Sequence, residues 1–129
     1  MKLWKIALAG SALAAFSMAA EDPTPEHVKT MKALGSQMGA IRKGVDVEKN
    51  ATAMADTMKE VAAFWKGRTS EVAMKSCKDA RDGALAAAKA AKESDAAGIA
   101  AGMKMVGAGC KGCHDVHREK VSDTEYKIK

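Results

Sequence analysis

A chain of 129 residues, 47% of them hydrophobic and 29% charged, is long enough for one domain with its own core. Its formal charge is a modest +5, its basic residues are scattered over every segment and only 4% of positions are aromatic, which excludes a nucleic-acid platform. Lys or Glu interrupts every apolar stretch beyond the first twenty residues, which excludes a bundle of membrane helices.

A leader comes first. Lys2 and Lys5 make a positive start, Ile6 to Phe16 is an apolar run too short to span a bilayer, and Ser17 and Ala19 supply the small residues of a cleavage site. Residues 1–19 are therefore read as a signal peptide cut after residue 19 or 20. Residues 20–129 are expected to form a single mature domain in an exported, oxidising compartment, with no stable membrane insertion after cleavage. Removing the two leader lysines leaves a formal charge of +3, which suits at most a mildly acidic partner.

Four helical segments follow, each with apolar residues three and four apart. The first opens with Thr24 as N-cap and Pro25 at its first position. Its seam is Met31, Leu34, Met38 and Ile41, and it stops at Gly44. The second is expected to start from Asp46 as N-cap and to end at Lys66-Gly67, with Val47, Ala51, Met54, Met58, Val61 and Trp65 on its seam. The third follows Thr69 or Ser70, with a stripe of Ala73, Cys77, Ala80, Ala84, Ala87 and Ala91. The fourth is expected to begin at Ser94 and to present Ile99, Met103, Val106, Cys110, Cys113 and His117. No stretch alternates like a half-buried strand, and the tail from Ser122 is expected to fray. Short connections make consecutive helices antiparallel, so the fold class is all-α, an up-down-up-down four-helix bundle.

The core is thin. After the leader, Leu occurs only at Leu34 and Leu85, while Ala and Met abound, and alanine buries little apolar surface. Something other than side chains is expected to fill it.

Cys110, Cys113 and His114 form C-x-x-C-H. On a helix, positions i, i+3 and i+4 share a face, so both sulfurs reach the vinyl groups of a haem while the imidazole rises under the iron. This is the c-type haem attachment pattern, with His114 as proximal ligand and one covalently attached haem c. Structural zinc needs four ligands, usually from two such knuckles, and the chain offers one plus Cys77 and scattered histidines. A redox dithiol needs its C-x-x-C at a helix N-terminus beside strands, whereas this pair lies late in the last helix. The macrocycle would also supply the missing burial. Gly109 and Gly112 flank the attachment and are read as letting the porphyrin lie against the backbone, whereas Gly98 and Gly102 are read as allowing a close helix crossing.

A four-helix bundle with C-x-x-C-H near the end of its last helix resembles the cytochrome c′ family, the class II c-type cytochromes. "GAGCKGCHDVHREK" is similar to the terminal motif of that family, Asp115 and Arg118 fitting and His117 standing where an aromatic is usual. "TMKALGSQMGAI" resembles the family's distal segment and puts Met31 at the distal position, with His27 where the family has Arg. The family divides between members with a ligating Met there, low-spin electron carriers, and five-coordinate high-spin members that bind gases such as nitric oxide. The resemblance places this chain in the first group, with His114 and Met31 as axial ligands. Helix geometry agrees: the start of the first helix faces the end of the fourth, while Met38 lies about 10 Å further along. Met58 is the rival ligand by position.

Around that centre, Trp65 and Phe64 are expected to wall the pocket and His27 and Arg118 to contact haem propionates. His117 is expected at the pocket edge, and Cys77 as a buried small hydrophobe. The implied function is one-electron transfer with redox partner proteins of a periplasmic chain, and no substrate chemistry; an evident distal acid–base pair for peroxidase activity is lacking. The family often forms homodimers through its first two helices, which Val28 and Ala55, off the seams, would permit.

Overall fold

The computed structural model describes residues 20–129, so the expected leader lies outside the described residues. Four helices dominate: α1 (Pro25–Arg42), α2 (Val47–Lys66), α3 (Glu71–Lys92) and α4 (Ala96–His117). Two three-residue strands follow, β1 (Arg118–Lys120) and β2 (Tyr126–Ile128). No helix among the described residues is long and apolar enough to cross a membrane.

The helix ends follow local chemistry. Thr24 Oγ1 accepts from the His27 N–H, and Ser70 Oγ from that of Ala73, each satisfying a first-turn donor. Gly44, at φ +72°, ends α1 in a Schellman motif: its N–H bonds Ile41 and that of Val45 bonds Ala40. Ser94 differs from expectation. It is not the cap of α4 but the left-handed residue that ends α3, at φ +55°, with the same pair of bonds closing back on Ala91 and Ala90. Asp95 then caps α4 by accepting from the Gly98 N–H. Asp46 holds the N-cap position of α2 in a left-handed conformation, but its side chain makes no capping bond.

Backbones approach closely between consecutive helices, α1 with α2, α2 with α3 and above all α3 with α4; α1 and α4 make no comparable approach. Along α1 and α2, Thr30 meets Glu60 (3.4 Å) and Gln37 donates to Thr57 Oγ1 (3.1 Å), so the two run antiparallel. The α3–α4 contact is made of alanine and glycine. A Cβ on Gly102 would lie 2.6 Å from the Gly83 oxygen and 2.7 Å from the Ala87 nitrogen, and one on Gly109 would lie 2.7 Å from the Ser76 oxygen. Residue numbers thus rise along α3 as they fall along α4, and only glycine permits the crossing. The alanines of α3 are buried beside this crossing, where main chain and Cβ atoms meet without large side chains between them.

That crossing corrects the reading of the attachment glycines. A Cβ on Gly109 would meet Ser76 and Ala80, and one on Gly112 would lie 3.1 Å from Ser76 Oγ, so the side on which each glycine lacks a side chain faces α3. Gly102 bears out its expected role. Ala55 is also corrected: it is 2% exposed, enclosed by the monomer's own core, and offers nothing to a partner subunit.

The tail does not fray. β1 and β2 pair antiparallel, Arg118 opposite Ile128, and Ile128 exchanges two 2.8 Å backbone bonds with Glu21, just before α1. An ion pair between Arg68 and Glu21 fastens the α2–α3 turn to the same patch, and Lys127 pairs Asp22 at 3.6 Å. Residues Glu21 and Asp22 and the C-terminal strand are thereby tied over one end of the helices.

Candidate functional site

The start of α1, the end of α2, the start of α3 and the end of α4 meet at that end. Cys110, Cys113 and His114 lie there along one side of α4, with Cys113 buried and the other two half-buried. All three cysteines are free thiols. Burial pushes the Cys110 thiol up, and burial with Cys110 nearby pushes Cys113 up to about 11, so both sulfurs stay protonated near neutral pH. Burial, followed by the Arg118 guanidinium, holds the His114 imidazole below its ordinary value. A neutral imidazole is the form that binds a metal.

Cys77 is 3% exposed, as expected of a buried small hydrophobe, and its thiol is pushed up to about 12 by burial and then by Cys113 and Cys110. It therefore lies within electrostatic reach of the other two. Because Gly109 and Gly112 press on Ser76, the neighbouring Cys77 comes level with them on α3.

An aromatic chain runs across the helices. His27 stacks on Phe64 with ring centres 4.1 Å apart, Phe64 meets Trp65 edge-on at 5.2 Å, and Trp65 lies against His117 at 4.2 Å. The Arg68 guanidinium covers Phe64 at 4.2 Å. Burial first, then Arg68 and His114, lowers the His27 pKa, so this imidazole too is neutral at pH 7. Met31 stands one turn after His27 on the same side of α1, half-buried against the core. Met58 is buried in the interior as filler among apolar residues.

His117 is fixed at both nitrogens. Nδ1 is 2.7 Å from the main-chain oxygen of Lys129 and Nε2 is 2.6 Å from Ser70 Oγ. The Lys129 oxygen only accepts, so Nδ1 carries the proton in the neutral ring and Nε2 accepts from the Ser70 hydroxyl. Arg118 is turned onto the Tyr126 ring at 3.5 Å. Trp65 Nε1, by contrast, is buried with no hydrogen-bond partner.

The structure thus brings His27, Phe64, Trp65 and His117 into one cluster at the end that carries His114 and the cysteines. Ser70, Lys129 and Tyr126 are members the sequence reading missed. The signal for Tyr126 and Lys129 was weak, a Ser-Asp-Thr turn between Val121 and a Tyr-Lys-Ile run.

Among the described residues, no three His, Cys, Asp or Glu side chains stand close enough to hold a metal ion by themselves. A haem asks for less, because the porphyrin supplies four nitrogens and the protein only the axial positions. Two unbridged thiols three residues apart, a neutral imidazole beside them and an unpartnered buried donor fit that group. One surface hollow, about 590 Å3, is at the start of α2; another, about 460 Å3, lies between α3 and α4 and is lined by Val72, Met105, Gly109 and Gly112, on the α3 side of the C-x-x-C-H. Comparison with protein-family models, curated proteins and solved structures finds no match to this chain.

Proposed function

We propose that this chain is a class II c-type cytochrome, an exported one-electron carrier built as an up-down-up-down bundle with one haem c. In this reading the leader 1–19 is removed in the periplasm and residues 20–129 are the working domain. Cys110 and Cys113 would form the thioether links, and His114 and Met31 would supply the two protein ligands to the iron. The observation that carries the reading is C-x-x-C-H on one side of α4, its thiols protonated and unbridged and its imidazole neutral. The wider backbone spacing between α1 and α4 and the aromatic cluster at the same end of the helices support it.

When bound, the haem supplies an Fe(III)/Fe(II) couple. His114 donates its neutral imidazole without first losing a proton. The Met31 thioether favours the reduced state and raises the potential. Phe64, Trp65 and His27 keep water from the site. His27 and His117 are held in stacking contacts, and among the described residues no carboxylate partners either of them as an acid–base relay would need. Electron exchange with partner proteins is the activity this constellation serves.

Absorption spectroscopy of the purified full-length gene product tests it. The haem should stay with the polypeptide after acid extraction, and the ferric protein should show a weak far-red sulfur-to-iron band. Rapid binding of carbon monoxide to the reduced protein would move the assignment to the five-coordinate, gas-binding branch. A colourless or zinc-loaded protein would remove haem altogether.

A further inference from the structure

Trp65 is only 4% exposed, yet its indole Nε1–H is buried without an acceptor. Its aromatic neighbours cannot provide one. Phe64 meets it edge-on and has no lone pair. His117 covers it at 4.2 Å, but both ring nitrogens are already committed, to Lys129 and to Ser70. The charged group beside Phe64 is Arg68, a donor, and its carboxylate partner Glu21 is engaged in that ion pair. An unmet donor at the site end of the bundle calls for an acceptor oxygen brought by a ligand.

We propose that the Trp65 Nε1–H donates to a propionate carboxylate of the bound haem, and that His117 is the positioning residue that holds the indole in place. The inference rests on the haem reading above and deepens it. The two propionates are the groups of a haem c that carry free acceptor oxygens. A tether at Cys110, Cys113 and His114 puts the macrocycle on the same end of α4 as His117, the residue in contact with Trp65. His117 is itself clasped between the cap of α3 and Lys129, so the ring against which the indole packs is held at both nitrogens.

The test is the midpoint potential of the haem-loaded protein as a function of pH. A carboxylate that loses a hydrogen bond ionises less readily, so the propionate inflection should move up by about one pH unit in Trp65→Phe. His117→Ala should move it in the same direction by less, with the haem still attached. A second readout needs no variant: in the reduced wild-type protein, the Trp65 indole N–H resonance should shift with the same inflection and exchange slowly with water. An unmoved inflection in Trp65→Phe, or an indole signal that ignores it, overturns the inference and leaves the haem reading standing. An unmoved inflection in His117→Ala overturns the positioning role. Wild-type protein that takes up no haem overturns both readings at once.

Discussion

The two flanks of α4 are built in opposite ways. Toward α3 the helix shows Gly102, Gly109 and Gly112: a methyl added at either of the first two would strike a carbonyl oxygen, and one at Gly112 would press on the Ser76 hydroxyl. On the other flank it shows Ile99, Met103, Cys110 and His114, all half-buried, and α1 does not close on them as α3 does. The contrast sharpens the idea of a thin core. Alanine and glycine are sufficient where two backbones can touch, since dispersion and burial then come from main chain and Cβ alone. On the flank where the neighbouring helix stays farther away, the haem of the proposed reading would supply that burial.

The harshest way to test that contrast is to remove the tether. The Cys110→Ala/Cys113→Ala protein should lose all covalently held haem, read by the colour left on the chain after acid extraction. Amide exchange should then show α1 unprotected while α3 and α4 keep much of their protection. A cooperative, native-like melt with wild-type protection throughout would show that the cofactor has no structural part.

The glycine flank is tested within one helix. Gly102→Val forces a branched side chain onto the Gly83 and Ala87 backbones and should cost about 3 kcal/mol in denaturant unfolding of the haem-loaded protein. Gly107→Ala, where an added Cβ meets nothing, should instead stabilise by up to about 1 kcal/mol through helix propensity. If both changes destabilise alike, the close crossing is not what selects glycine.

The matched helix ends offer a subtler comparison. Gly44 and Ser94 close α1 and α3 with the same bonds, but only Ser94 carries a side chain into the left-handed region. Ser94→Gly should therefore raise stability by roughly 1 kcal/mol, seen as a later urea midpoint. The corresponding Gly44→Ser change should lower it by a similar amount.

The smallest effect concerns protons. The pKa of His27 is lowered in the fold, by burial first and Arg68 second, so the unfolded chain takes up the proton more readily. Above the ordinary value of 6.5 both states are neutral and nothing is lost; as pH falls through it, stability should drop until the folded ring also protonates. In the haem-loaded protein of the proposed reading, where iron would hold His114, the urea midpoint should fall between pH 7.5 and pH 5.5. His27→Gln should flatten that fall, and an equal fall in both proteins would assign it elsewhere.

Much of this was readable along the chain. The bounds of α1 and α2, the cap at Thr24, a cap for α3 at Thr69 or Ser70 and the stop at Gly44 depend on groups within four residues of one another, as does the alignment of Cys110, Cys113 and His114 on one side of a helix. Those features follow from helical periodicity and from the unsatisfied N–H and C=O groups at helix ends. The choice of Asp95 over Ser94 as the last cap turned on which residue takes the left-handed angle, a one-position question that either sequence pattern allowed.

Other features were decided only when distant segments met. Gly109 and Gly112 face α3, Ala55 belongs to the interior, and the tail pairs with itself and with Glu21. His117 is a clasp between Ser70 and Lys129, and Trp65 keeps a buried donor unpaired. Periodicity tells which side of a helix is apolar but not which neighbour that side will meet. The partner is chosen by how closely two backbones can approach, and that distance is a property of the assembled helices.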